Sequence, residues 1–317
     1  MGLGCAFCIG AGVAVQGRIN GALGARLQDG VAAAVISFGS GLLVLGAVFV
    51  LSGRMRGGLG RVRGGLGRVR EAVVTGRLPV WQLLGGLCGA FFVACQGLTV
   101  AAIGVTAFTV AAVAGQLLSS LVVDRLGLAP SGRTAITPLR FGAAALGIVA
   151  VLLAGLGRAA TPGGALAVPE SLRGAPIVLL IVLPALAGIG LAWQQAVNGR
   201  VGAVGGPWSA TAVNFGVGLV ALVCIEGAIL LGSGLPAEFP TQPWLYLGGV
   251  IGIAFIALAA VTVRWIGVLL LGLTSVAGQL LTSVALDVVT PTAAGLSVTA
   301  VVGGGLTLLA VGIAARG

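Results

Sequence analysis

Carboxamide and hydroxyl side chains recur at helical spacing inside two copies of one apolar stretch. AGQLLSSLVVD at 114–124 returns as AGQLLTSVALD at 277–287, so that Gln116 and Ser120 reappear as Gln279 and Ser283. A spacing of four residues puts each pair on one face of a helix. If the stretches cross a membrane, each glutamine lies near its middle, about 12 Å of helix from the terminal aspartate. We therefore predict that these side chains line a solute pathway, because polar groups in hydrocarbon are costly and mark such pathways.

A second set of carboxamides has the same geometry. Gln16 and Asn20 are four residues apart, as are Gln194 and Asn198, so each pair occupies one helix face. An amide in apolar surroundings requires a hydrogen-bonding partner. Two interpretations fit: the pairs tie neighbouring helices together, or they meet a polar substrate in a cavity.

Three carboxylates are candidates for coupling transport to an ion. Asp124 and Asp287 close the two copies of the stretch, where a negative charge opposes the helix dipole. Each either pairs with a neighbour such as Arg125 at the membrane interface or is protonated during transport. Glu226 lies inside a later apolar run and has no acidic counterpart in the other copy. It is a candidate for coupling or for substrate contact.

Other chemistry finds little support in the residues. The chain has no histidine, and its five cysteines lie in apolar runs, where they act as small packing groups. Motifs of nucleophilic, zinc and nucleotide sites, such as G-x-S-x-G and H-E-x-x-H, are missing from the sequence. We therefore predict neither an enzyme nor a bound metal or cofactor.

The elements that position these residues are transmembrane helices. Apolar residues make up 58% of the 317 residues and charged residues 8%, and the mean hydropathy is +1.16, which is typical of an integral membrane protein. Each apolar run approaches the ~20 residues that cross a bilayer. The prediction is an all-α protein with ten spanning helices: a first helix that leads into Gln16, then the runs 30–51, 80–101, 103–123, 138–157, 175–197, 208–231, 244–264, 266–286 and 292–314.

The ten helices are predicted to form two repeats of five, at 1–157 and 175–317. The spacing that relates the two motif copies also takes Trp81 to Trp244. Because five is odd, the second repeat enters the membrane from the opposite side, as in the inverted repeats of secondary transporters. With both termini in the cytoplasm, thirteen of the 17 arginines fall in inside loops and four in outside loops, which agrees with the positive-inside rule.

Seven of those arginines lie in one glycine-rich segment, 52–79. Glycine favours a flexible loop here, and arginine attracts anionic lipid on the cytoplasmic leaflet. A nucleic-acid-binding arm is the alternative, but no aromatic side chain interleaves the arginines to stack on bases. The predicted partners of this segment are membrane lipids, not nucleic acid.

Three stretches carry a family resemblance: QGRINGALGARL at 16–27, its echo QQAVNGRVG at 194–202, and above all IGVTAFTVAAVAGQLLSSLVVDRLGL at 103–128. They resemble the YdcZ-type family of the EamA-like drug/metabolite transporter superfamily. The resemblance implies ten helices in two halves and a transporter of small molecules in the bacterial inner membrane. Arg18 stands where the second copy has Ala196, and it either binds an anion or anchors the helix end.

Together these features predict a secondary transporter that moves a small metabolite or drug-like solute by alternating access. The alternative is a passive channel or a lipid-translocating protein, in which the polar pairs line a continuous pore or a lateral groove. Saturable, gradient-dependent flux would separate the two. Two repeats in one chain suit a monomer and are also compatible with a homodimer.

Overall fold

The computed structural model describes residues 2–51, 56–128, 132–133, 137–159, 174, 176–233, 239–290, 298–314 and 316. Within these ranges the chain is helical and contains no strand. Its helices are α1 (Gly2–Leu27), α2 (Gly30–Leu51), α3 (Arg56–Val74), α4 (Gly85–Leu126), α5 (Pro138–Ala159), α6 (Ile177–Gly205), α7 (Pro207–Ser233), α8 (Gly248–Val289) and α9 (Val298–Ala314). Short 3₁₀ turns at Val80–Leu84 and Pro243–Tyr246 precede α4 and α8.

Most of these helices are suited to a bilayer. Six of the described helices, α1, α2, α4, α6, α7 and α8, contain stretches long and apolar enough to cross one. α5 and α9 are also apolar over shorter described stretches. The predicted all-α class is confirmed.

α4 is interrupted by Gly104. The helix joins two predicted runs, and its 42 residues would extend about 63 Å if straight, twice the thickness of a hydrocarbon core. Gly104 has φ 81° and ψ 161°, which glycine adopts readily because it lacks a Cβ. The rings of Phe92 and Phe108 lie 5.4 Å apart, whereas a straight helix would separate these positions by about 24 Å. α4 therefore folds back at Gly104 into two segments.

α8 holds the second copy of the motif and also joins two predicted runs over its 42 residues. The boundary predicted near position 265 falls where the side chains, at 263–271, lie outside the described residues. α8 is thus the element that corresponds to α4 in sequence, length and position along the chain.

The arginine-rich segment is helical over most of its length, not the flexible loop that was predicted. α3 covers Arg56–Val74. Its buried residues Gly65, Val69 and Ala72 recur at spacings of three and four, which is one helix face. That face packs against α6 and α7. Tertiary packing of this kind overrides the low helix propensity of glycine.

The largest helix interfaces join the two halves of the sequence. α1 packs against α8, α6 against α4, and α5 against α9. In the core, Phe38 of α2 and Phe215 of α7 bring their ring centroids within 5.0 Å. The halves are therefore interleaved and do not form two separate bundles.

Two of these interfaces are built alike. A Cβ on Gly278 of α8 would collide with the backbone of Phe7 in α1, and a Cβ on Gly115 of α4 would collide with the backbone of Ala185 in α6. Small residues let helix backbones approach closely in lipid. Equivalent glycines of the two motif copies thus fix α8 on α1 and α4 on α6.

Candidate functional site

Gln16 and Asn20 lie on the buried face of α1. Gln16 Nε2 donates a hydrogen bond to the carbonyl oxygen of Gly248, 2.9 Å away, at the start of α8. Asn20 Nδ2 donates to Gln96 Oε1 of α4 at 2.8 Å. This first amide cluster therefore ties three helices together.

Gln194 and Asn198 of α6 form a second amide cluster. Both donate to Asn214 Oδ1 of α7, at 2.8 Å and 2.9 Å. Gly85 and Gly89 of α4 lie against Asn198 and Gln194, where any larger side chain would displace the amides. The second cluster thus also joins three helices, with the central acceptor on α7.

The two clusters make the interhelical ties that were one of the two predicted interpretations. Asn20 also keeps its Oδ1 atom fully buried without a hydrogen-bond partner among the described residues. An unused acceptor of this kind is costly to bury, and a donor group of a solute would satisfy it. Substrate contact by the amides remains a prediction.

Gln116, near the middle of the second α4 segment, is bonded to the helix that carries the second cluster. Its Nε2 donates to Gln195 Oε1 of α6 at 3.2 Å, and Gln195 directly follows Gln194 in the sequence. Ser120, one turn further along α4, donates to the Leu117 carbonyl oxygen at 2.7 Å. α4 and α6 are thus joined at this level by one hydrogen bond between glutamine side chains.

Gln279 has different surroundings although it occupies the same motif position. Its side chain is partly exposed and makes no hydrogen bond within the described part of the chain. The position of α1 that corresponds to Gln195 is Gly17, which has no side-chain amide that could form a hydrogen bond with Gln279. Ser283 is fully buried and donates to the Leu280 carbonyl oxygen at 2.8 Å.

Asp287 binds the break in α4. Its Oδ1 accepts the backbone N–H of Val105 at 3.1 Å and its Oδ2 accepts the N–H of Thr106 at 2.8 Å. These donors open the second α4 segment, and a carboxylate at a helix N-terminus is favoured by the helix dipole. Asp287 is 1% exposed. The carboxylate of one half therefore caps a helix segment of the other half.

Asp124, at the equivalent position of α4, makes an ion pair instead. Arg140 Nη2, near the start of α5, donates to Asp124 Oδ2. The two side chains are 16% and 23% exposed. The partner is Arg140 and not Arg125, because α5 brings Arg140 back towards the end of α4.

Two arginines cap the C-terminal ends of the long helices. Arg18 of α1 donates to the carbonyl oxygen of Thr290, which follows α8, at 2.7 Å. Arg200 of α6 donates to the carbonyl oxygens of Gly127 and Leu128, which follow α4, at 2.7 Å and 2.8 Å. A cation is favoured there because the last carbonyls of a helix lack partners. Arg18 therefore anchors a helix end, one of the two roles expected for it.

Glu226 is buried on α7 at 8% exposure. Its Oε2 has no hydrogen-bond partner among the described residues. Asp29 is near enough to act on it electrostatically, and Asp29 Oδ1 itself accepts the N–H groups of Val31 and Ala32 at the start of α2. Two carboxylates thus lie near one another where α2 begins.

Sequence reasoning missed three partners of the predicted residues: Gln96, Asn214 and Gln195. Each is a polar residue in an apolar run, which was the signal available. None is repeated, because the corresponding positions hold Ala259, Ser37 and Gly17. A search guided by the duplication could not find them.

In the described part of the chain, no three His, Cys, Asp or Glu side chains converge in a way that could hold a metal ion. The amide clusters, the capped helix break and the ion pair can instead bind a solute by hydrogen bonds or hold charge at the helix ends.

Long apolar helices, interleaved halves and buried amide ties define a multi-pass integral membrane protein. Two stretches of the chain, residues 1–153 and 179–314, match the protein family described as "putative inner membrane exporter, YdcZ". The match covers nearly the whole chain, so the protein belongs to this family of membrane transporters, and the predicted resemblance is confirmed. No functionally curated protein matches the chain significantly.

Proposed function

We propose that the protein is a secondary transporter that exports a small solute across the bacterial inner membrane by alternating access. The observation that carries this proposal is the crossed packing of α1 on α8 and of α6 on α4. Each pair is held by close backbone contacts and can move as a unit. Tilting one unit against the other would open a path between them to alternate sides. Export is the direction given by the family description.

The proposed architecture has ten spanning helices in two inverted repeats. α3 is too polar to span, which leaves α1, α2, α5, α6, α7 and α9 with two spans each from α4 and α8. The fold-back of α4 at Gly104 supports two spans there. The tripeptide at 103–105 recurs at 266–268, which supports the same arrangement in α8.

Contacts between helix ends support the proposed grouping of the loops into two sides, and the arginine count assigns the side with both termini to the cytoplasm. Arg26 donates to Gln242 at 3.1 Å, and both residues lie in segments predicted to be outside. Arg200 contacts Leu128, and both lie in segments predicted to be inside. Segments assigned to one side of the membrane thus meet each other, as the proposed topology requires.

The proposed pathway runs between the two units, and its polar lining is Gln16, Asn20, Gln116, Ser120, Gln194, Asn198, Gln279 and Ser283. Gln116 and Gln279 are its central pair because they lie at mid-helix in the two motif copies. The coupling candidates are Asp287, Asp124 and Glu226. Among them Asp287 has the contacts best suited to couple a change in its own charge to opening of the pathway, since it joins α8 to the break in α4.

Transport by purified protein in sealed vesicles tests the proposal. A thermal-shift screen of metabolites, cationic drugs and anions first identifies a solute, since a ligand at about 100 times its dissociation constant stabilises by roughly 2.7 kcal/mol. Flux of that solute should be saturable and should depend on an imposed ion gradient. Gln116→Leu and Gln279→Leu should each slow transport about tenfold or more, because a lost buried hydrogen bond to a solute costs about 1.5 kcal/mol or more.

Val122→Leu and Leu281→Ile are matched controls, because both positions are exposed on the same two helices. They should transport at the rate of the unaltered protein. Flux that does not saturate and does not depend on the imposed ion gradient would indicate a channel instead of a transporter. Full transport in both glutamine variants would remove Gln116 and Gln279 from the pathway.

A further inference from the structure

α3 is attached to the bundle at the point where two spanning helices end. Arg68 donates to the carbonyl oxygens of Val204 and Gly205, at 3.2 Å and 3.3 Å, in the last turn of α6. Ser209, in the first turn of α7, donates to the Val62 carbonyl oxygen at 3.4 Å. Spanning helices end at the membrane interface. These contacts therefore place α3 at the depth of the lipid headgroups.

The residues that follow α3 agree with this depth. Trp81 is 39% exposed, and its ring lies 5.4 Å from that of Trp193 on α6. Tryptophan is enriched where hydrocarbon meets headgroups. Val74 at the end of α3 and Val80, which precedes Trp81, are exposed, which suits contact with lipid more than contact with water.

The buried face of α3 leaves an adjacent stripe uncovered. Val69 and Ala72 are buried at 4% and 2% exposure, whereas Arg63, Leu66 and Arg70 are exposed. Leu66 lies three residues after Arg63 and four before Arg70, so the three share one side of the helix. Two arginines about 10.5 Å apart along the axis thus flank one leucine.

The charges of this stripe have no partner among the described residues. Arg68 is engaged with α6, and Glu71 is paired with Arg77 at 3.1 Å. Arg63 and Arg70 make no hydrogen bond or ion pair within the described residues. The nearest carboxylate in the sequence is therefore already neutralised, and both guanidinium groups remain available to an external anion.

We propose that α3 binds anionic lipid of the cytoplasmic leaflet, with Arg63 and Arg70 on headgroup phosphates and Leu66 directed towards the acyl chains. Guanidinium groups bind phosphate oxygens through paired hydrogen bonds. An exposed leucine between them suits a lipid surface and does not suit nucleic acid, which would require stacking aromatic residues. Bound lipid would also hold α3 on the junction of α6 and α7.

The test uses the full chain in detergent, with its native cysteines removed and an environment-sensitive fluorophore on Leu66→Cys. Titration with short-chain phosphatidylglycerol should shift the fluorescence at lower concentration than phosphatidylcholine. Arg63→Gln/Arg70→Gln should weaken phosphatidylglycerol binding about 25-fold, since each arginine near an anionic surface contributes about fivefold. Added salt should weaken phosphatidylglycerol binding by the protein that retains Arg63 and Arg70 and should have little effect on binding by the double variant.

Arg125→Gln/Arg133→Gln removes the same charge from two other exposed arginines and should leave binding unchanged. Arg63→Lys/Arg70→Lys keeps both charges but loses the paired hydrogen bonds, so it should bind more tightly than the glutamine double variant and more weakly than the unaltered protein. Equal losses of phosphatidylglycerol affinity in both glutamine double variants would show a general effect of charge and no specific site on α3. Displacement by inorganic phosphate at the same concentration would identify a free-anion site, and preferential binding of an oligonucleotide would identify a nucleic-acid site. These readouts measure lipid binding alone, so they do not depend on the transport proposal.

Discussion

Asp124 and Asp287 end two copies of one motif, yet they bind different groups. Asp287 is almost completely buried and accepts two backbone N–H groups at the break in α4. Asp124 is more exposed and pairs with Arg140. The same residue at the same motif position thus acts as a helix cap at one end of the molecule and as an ion-pair partner at the other.

This difference shows what a duplication preserves. The motif preserves helix length, the close-approach glycines and the placement of an acid at the helix end. It does not preserve the partner, because the partner belongs to another element whose sequence has changed. Two ends of the molecule that began alike can therefore hold the helices with different strength.

Replacing the two aspartates should give the largest difference between the halves. Asp287→Ala leaves two buried N–H groups without acceptors, and each such group costs about 1–3 kcal/mol. Asp124→Ala breaks a partly exposed ion pair, which contributes about 1 kcal/mol or less. Thermal unfolding of the purified protein should therefore show a much larger fall in Tm for Asp287→Ala.

Asp287→Asn refines this comparison because an amide keeps one acceptor oxygen and loses the charge. Its Tm should fall between those of Asp287→Ala and the unaltered protein. Equal losses for Asp124→Ala and Asp287→Ala would mean that the two helix ends are equivalent, contrary to their contacts.

The close-approach glycines should give the opposite result, equal effects in the two halves. A Cβ on Gly278 would lie 3.0 Å from both Cα and the carbonyl carbon of Phe7, and a Cβ on Gly115 would lie 2.8 Å from the carbonyl carbon of Ala185. Backbone must move in each case, and such overpacking costs about 1–3 kcal/mol. Gly278→Ala and Gly115→Ala should therefore lower Tm by similar amounts.

Gly142→Ala and Gly272→Ala are the controls, because a Cβ at either position meets no atom within 4 Å. They should raise Tm slightly, since alanine favours a helix over glycine by about 1 kcal/mol. Unequal effects of Gly278→Ala and Gly115→Ala would show that one of the two interfaces, α1–α8 or α4–α6, is packed less tightly than the other.

The sequence alone was sufficient to predict the helical class and most of the polar residues that form the two amide clusters. Hydrophobic runs and repeated motifs depend on spacing along the chain, which can be read directly. The helix at Arg56–Val74 was not predicted, because its buried face gains stability only from α6 and α7. The partners of Asp287 were not predictable either, because a backbone N–H becomes available only where Gly104 interrupts α4.

The amide clusters show the same limit. Gln16 and Gln194 were found because both repeats hold them, whereas Asn214 has no repeated counterpart and its role follows from the packing of α7. Repetition therefore finds what the halves share and misses what distinguishes them.

The smallest predicted effect concerns the two arginine caps. Arg18 lies near enough to Asp287 to interact with its charge, in addition to its hydrogen bond with Thr290. Arg200 bonds only to carbonyl oxygens, those of Gly127 and Leu128, in the described structure. A double-mutant cycle of Arg18→Gln with Asp287→Asn should therefore give a coupling of about 0.5–1 kcal/mol, whereas residues without a shared partner add independently. The matched cycle of Arg200→Gln with Asp287→Asn should give no coupling in thermal or denaturant unfolding. Coupling of equal size in both cycles would mean that the helix ends respond as one unit and that Asp287 does not act locally on Arg18.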